Sequence, residues 1–133
     1  MVKTLSIRTG GRTQFLDITS QVQRAVEESG VKEGICVVYV PHTTAAVTIN
    51  ENADPDVVSD ILKEINKVIP FSDNYDHLEG NSAAHIKASL FGPSEHIIIE
   101  SGRLLLGTWQ GIYFCEFDGP RSRKVIIKII EGS

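Results

Sequence analysis

The chain has 133 residues, 41% of them hydrophobic, which supports one domain with its own core over residues 1–133 and leaves too little for two. A formal charge of -4 and the lack of a Lys/Arg block exclude a general nucleic-acid binder, although the cluster Arg121-Ser122-Arg123-Lys124 suits a phosphate. No stretch approaches the roughly 18 apolar residues of a membrane span, and Met1-Val2-Lys3-Thr4 lacks the charged and apolar regions of a secretory signal, so a cytoplasmic protein is expected.

In chain order, residues 3–8 alternate as a strand, and Gly10-Gly11 turns the chain into a second short strand around Gln14 to Asp17. Asp17-Ile18-Thr19 opens a helix with Val22, Ala25 and Val26 at helical spacing, closed by Gly30 as a C-terminal cap. Residues 35–40 are a nearly continuous β-branched and aromatic run, the pattern of a strand buried on both faces. Pro41 then removes a backbone donor. His42, Thr43 and Thr44 offer an imidazole and two hydroxyls before residues 45–49 resume a strand. Asn50-Glu51-Asn52-Ala53-Asp54-Pro55 follows, with Asp54 placed as a helix N-cap and Pro55 at the first helical position. His42, Asn50 and Glu51 are not explained by capping. The next helix carries the stripe Val57, Val58, Ile61, Leu62, Ile65, Val68 and Ile69 and ends at Pro70.

Residues 73–89 form a polar segment with two of the four histidines, and Asn81 is read as a good cap to a short helix over residues 81–87 that aims His85. On that helix Asn81 and His85 share one face. From Glu95 the pattern is all strand: residues 97–100 and 103–106 flank Ser101-Gly102, and residues 111–117 and 124–131 flank Asp118-Gly119-Pro120. The class is therefore α+β: an antiparallel-rich core with two main helices and a short third one. Cys36 and Cys115 read as buried reduced thiols, their separation suggesting neither a disulfide nor a metal pair.

His42, His77 and His85, with Glu51, Asp76 and Glu79, invite a metal reading, because neutral imidazoles and carboxylates suit a divalent ion such as zinc. Their spacing matches no recognised ligand motif. His96, beside a Gly-Pro turn, is read as structural. Trp109, between glycines, is read as a packing residue, while Gln110 is able to reach a ligand or a neighbouring subunit. For Arg121 a charged loop and a bidentate grip on phosphate or carboxylate stand equally; for Arg123 and Lys124 the charged loop is favoured.

The motifs His42-Thr43-Thr44-Ala45, Asn50-Glu51-Asn52-Ala53-Asp54-Pro55, Glu79-Gly80, Ala84-His85-Ile86-Lys87-Ala88-Ser89, Gly92 and Leu106-Gly107-Thr108-Trp109-Gln110-Gly111-Ile112 resemble the YjbQ-like family, also called the secondary thiamine-phosphate synthase family. The resemblance covers essentially the whole chain. The step from His77 to Glu79-Gly80 is one residue shorter than in the family pattern. The resemblance implies a β-sandwich-like α+β domain that assembles as a homotrimer. It also implies a low thiamine-phosphate synthase activity, joining a pyrimidine pyrophosphate to a thiazole phosphate. By position, the implied pocket holds His42, Asn50, Glu51, His77 and His85, with Lys87 and Arg121 as phosphate contacts; Gln110, from its own reading, is expected to bind substrate.

In that chemistry pyrophosphate leaves an activated methylene as the thiazole nitrogen attacks, so catalysis needs cations on the leaving group and tight positioning. Lys87, Arg121 and a Mg²⁺ held by Glu51 or Asp76 are expected to supply charge, and a histidine to protonate the departing group. Two other readings stand beside it. One is a metal-dependent hydrolase with His42, His77 and His85 as ligands and Glu51 as base. The other is a trimeric metabolite-binding module without turnover.

Overall fold

The structure, a computed structural model, describes residues 2–133. Its elements run β1 (Val2–Arg8), β2 (Gln14–Asp17), α1 (Thr19–Ser29), β3 (Gly34–Tyr39), β4 (Ala45–Glu51), α2 (Pro55–Val68), α3 (Ser82–Phe91), β5 (Ser94–Glu100), β6 (Arg103–Leu104), β7 (Gln110–Glu116) and β8 (Ser122–Glu131). The strands form two antiparallel sheets, one ordered β1-β8-β3-β5-β6 and one ordered β2-β7-β4. This is the mixed α+β fold that the sequence pattern predicts.

Alternation along β7 sets the layers. Ile112 and Phe114 point between the sheets, where they meet Val22 and Val26 of α1, Cys36 and Val38 of β3, and Val125 and Ile127 of β8. Tyr113, Cys115 and Phe117 point the other way, onto Ala84 and Ala88 of α3 and Val58, Ile61 and Leu62 of α2. The three-stranded sheet is thus covered on both faces, and the five-stranded sheet on one. Both cysteines are buried and free, and burial pushes the Cys36 thiol up to about 11.

Several local expectations hold for the reasons given by the sequence. Gly30 caps α1 in the left-handed conformation, at φ 73°. The Asp54 carboxylate accepts the Asp56 N–H at 2.9 Å and caps α2, with Pro55 at its start. Three do not hold. The doubly buried strand is β7, not residues 35–40: β3 alternates, burying Cys36 and Val38 and leaving Ile35 and Tyr39 each 44% exposed on the open face of its sheet. Trp109 is 63% exposed in the turn before β7 rather than packed. Asn81 begins α3 without capping it through its side chain, which is drawn to Asp118 instead.

β3 and β8 approach so closely at Gly34 that a methyl group there would stand 2.1 Å from the Ile130 carbonyl oxygen. Gly34→Ala is therefore expected to cost about 1–3 kcal/mol by forcing the strands apart, seen as a lowered urea midpoint with an unchanged denaturant slope. An unaltered midpoint would show that this edge yields without cost.

Candidate functional site

The chain crosses from the five-stranded to the three-stranded sheet through residues 40–44, between β3 and β4. Under that crossover lies a buried ion pair. Glu116, at the end of β7, is fully buried and Arg123, near the start of β8, is 4% exposed. The Arg123 Nε donates to Glu116 Oε1 at 2.8 Å, and its Nη2 donates to Glu116 Oε2, to Thr44 Oγ1 at 2.9 Å and to the Thr44 carbonyl at 3.3 Å. Glu116 also accepts from Thr9 Oγ1 at 2.8 Å and from the Asp118 N–H at 2.9 Å. Burial alone would raise this carboxyl; the bonds from Arg123, Asp118 and Thr9 outweigh it and hold it below its ordinary value. The charged-loop reading of Arg123 is thereby corrected. Its side chain is committed to the interior, and no ligand reaches it without breaking the pair.

His42 stands on this base. Its Nε2 accepts the backbone N–H of Lys124 at 3.0 Å. With Thr43, Ala45, Pro93 and His85, Ala88 and Ser89 of α3, it lines a cavity of about 290 Å³. His85 and Ser89, four apart, share the α3 face toward His42. On the other side of His85 a second cavity of about 400 Å³ is lined by Tyr75, Asp76, His77, Ser82, His85 and Ile86. The His77 and His85 rings pack edge to face with centroids 5.5 Å apart. Asn81 donates to Asp118 Oδ2 at 2.9 Å, and Arg121 grips the same residue through its carboxylate at 3.0 Å and its carbonyl at 2.9 Å. The Oδ1 of Asn81 is buried without a hydrogen-bond partner. Burial, then the Arg123 charge, with a smaller push from Arg121, holds the His42 imidazolium form down.

The remaining expected site residues lie elsewhere. Asn50 and Glu51 end β4, whereas the His42 segment precedes its start, a separation of roughly 20 Å at the rise of a strand. Gln110, at the start of β7, pairs with Glu51 of β4 and turns its amide oxygen onto the Gly107 N–H at 2.7 Å. These three gather with Asn52, which is bonded to Asp17, so one chain does not bring them to the histidines. Lys87 faces away too. It lies on the buried stripe of α3 with Ala83, Ala84 and Ala88, donates to Asn66 Oδ1 of α2 at 2.6 Å, and sits 3.8 Å from the Phe71 ring centroid, which Arg12 also approaches. His96 is exposed on β5. A larger cavity, about 680 Å³, lies between β1, α1 and β8, but its polar rim is the closed Lys3–Glu28 pair with Glu131, so the histidine face is the stronger candidate.

Of the three histidines, His85 lies between the other two, sharing one cavity with His42 and the other with His77. Among the described residues no group of three or more His, Cys, Asp and Glu side chains is placed to hold an ion, and the one lone pair of a neutral His42 at Nε2 is already engaged.

Fold and site together define a small α+β protein with two antiparallel sheets and a histidine-lined polar pocket at the crossover between them. The chain belongs to the YjbQ family: the model described as "UPF0047 protein YjbQ-like" matches residues 3–132. UPF0047 protein YugU of Bacillus subtilis is 54% identical over 131 residues, covering 98% of this chain and 99% of the relative. UPF0047 protein MJ1081 of Methanocaldococcus jannaschii is 56% identical over 130 residues, covering 98% and 94%. A solved YjbQ/UPF0047 structure from Clostridium acetobutylicum superposes with a TM-score of 0.95 at 62% identity, covering 96% of this chain and 99% of that one. A YbjQ-like protein of unknown function from Sulfolobus solfataricus reaches 0.95 at 34% identity, covering 99% and 97%.

Two outcomes follow from the buried charges. Removing one partner as Glu116→Ala is expected to cost about 3–5 kcal/mol by stranding Arg123. Because the Glu116 pKa is depressed on folding, its contribution is present above the ordinary carboxyl value of 4.5 and is lost as pH falls through the lower folded value. Urea midpoints against pH should therefore fall less steeply in that acid window in Glu116→Gln than in the intact chain; parallel profiles would refute the assignment. Lys87 behaves differently. Burial first, and Arg12 second, bring it from 10.5 to about 8, so between those values the unfolded chain binds a proton that the folded chain has released. Stability is expected to rise with pH across that window, and Lys87→Met should abolish the rise; an unchanged profile would show that Lys87 is solvated.

Proposed function

We propose that the cavity shared by His42 and His85 binds a small phosphorylated metabolite, and that the protein carries out transfer chemistry of the thiamine-phosphate synthase kind at a low rate, as a homotrimer. The observation that supports this reading is the placement of two histidines on facing walls of one cavity, with the Arg121 charge near enough to act on His42, in a chain whose net charge is negative. An anion is drawn to such a spot by local field rather than by overall charge. His85 is the group suited to protonate a departing pyrophosphate, since His42 is engaged with the backbone. Arg121, anchored by Asp118, keeps guanidinium donors for phosphate oxygens. Lys87 takes no part, and Glu51 would take part only from another copy of the chain.

The homotrimer reading is supported by the open face of the five-stranded sheet. Ile35 pairs with Ile98 on one side and Ile130 on the other, and all three are at least 44% exposed, an apolar row across three strands. The reaction is tested by supplying the pyrimidine pyrophosphate and the thiazole phosphate and following pyrophosphate release. Slow turnover is expected, falling about a hundredfold in His85→Ala with the fold intact. Binding of a phosphorylated compound without turnover would instead identify a binding module, and failure to bind either compound would sink the pocket reading. Light scattering at three times the chain mass checks the assembly.

A further inference from the structure

The hydrogen bond that holds His42 also fixes where its proton sits. β3 and β8 pair in register as far as Tyr39 opposite Ile126, and continuing that register would set Lys124 opposite Pro41. The chain has turned away by then, since the Val40 N–H bonds to the Pro93 carbonyl at 2.7 Å. The Lys124 N–H, which a ladder carbonyl would otherwise receive, is taken by the His42 imidazole at 3.0 Å. Only an unprotonated nitrogen accepts such a bond. Turning the ring over would put a carbon against the N–H and take away the partner it has, and protonating Nε2 would set N–H against N–H. The neutral ring therefore carries its proton on Nδ1, the remaining polar group of a side chain that lines the cavity with Thr43, His85 and Ser89.

We propose that His42 is a tautomer-locked neutral hydrogen-bond donor, whose Nδ1–H binds an anionic oxygen of a phosphate or carboxylate ligand, and that it serves as neither a metal ligand nor a general base. This rests on the reading of the cavity as an anion pocket. The surroundings fit it: Arg123 and Arg121 both disfavour a charged His42, and the same two cations favour an anion beside it. A neutral donor held in one tautomer stabilises charge on a ligand without taking or giving a proton, so proton transfer falls to another group, with His85 across the cavity.

The test is long-range ¹H–¹⁵N correlation on the labelled, intact protein at pH 7, with inorganic phosphate as the probe. The expected result is an Nδ1–H tautomer for His42 before phosphate is added, a shift of its Nδ1 signals on titration, and phosphate binding weakened about tenfold in His42→Ala. An Nε2–H tautomer or an imidazolium at His42 would overturn the inference even where phosphate still binds. The expected tautomer with no phosphate response at His42 would overturn the donor role, and silence at His85 as well would overturn the anion pocket beneath it. Repeating the titration with acetate separates a phosphate site from a general carboxylate site, and either supports the donor.

Discussion

The pair formed by Glu116 and Arg123 is the contact on which the site depends. Its members come from different sheets, Glu116 from the central strand of one and Arg123 from β8, which lies between β1 and β3 in the other. Two charges withdrawn from water cost more than their attraction returns unless every lone pair and donor finds a partner. Here Thr9, Thr44 and the Asp118 N–H complete the set. Each of those residues borders a turn: the one leaving β1, the crossover into β4, and the turn between β7 and β8. The pair thus sets the relative position of three connections where a purely apolar contact would let them slide. The crossover fixed in this way is the one that carries His42.

That arrangement was partly legible in the sequence. The elements were readable from their patterns: alternation along β8, a continuous apolar run along β7 and a period of 3.6 along α2. The helix caps were readable from Asp54-Pro55 and Gly30. The pair itself was also written there. The inward stripe of β7 runs Ile112, Phe114, Glu116, and that of β8 runs Arg123, Val125, Ile127, so each stripe ends on a charge of opposite sign. Taking Arg123 with its turn neighbours rather than with its strand hid this. The same holds for Lys87, which shares the buried helical stripe of Ala83, Ala84 and Ala88 and not the face of His85. Pairing of remote strands was not legible. The motif Asn50-Glu51 lies close to His42 in sequence, yet β4 runs straight between them and carries the carboxylate to the far end of the sheet. Trp109 carries no signal of its place: a tryptophan between glycines suits packing, yet it stands exposed in the turn before β7.

The separation along β4 gives the molecule two chemically distinct ends. One gathers His42, His85 and Arg121; the other gathers Asp17, Asn50, Glu51 and Asn52, rich in acceptors. On the proposed reading the first end takes the anionic part of a ligand, since cations and N–H donors favour negative charge there and the acidic end would repel it. A homotrimer whose open sheet faces are covered by neighbouring copies would offer a way to bring an acidic end to a cationic one. The same geometry accounts for why the two motifs are both polar without touching.

A locked neutral histidine suits a pocket already bordered by arginines. Burial, then the charges of Arg123 and Arg121, disfavour a further positive charge on this ring. Fixing the ring with a backbone N–H instead supplies a directed donor that needs no titration and little reorganisation when charge appears opposite it. The strand that provides this N–H also provides Arg123, whose charge disfavours protonation of the same ring. What determines His42 is therefore not its own sequence motif alone but the point at which β3 ends while β8 continues. A change in length of the 40–44 crossover would part the Lys124 N–H from the His42 ring, so the state of this histidine depends on the crossover that the Glu116–Arg123 pair holds in place.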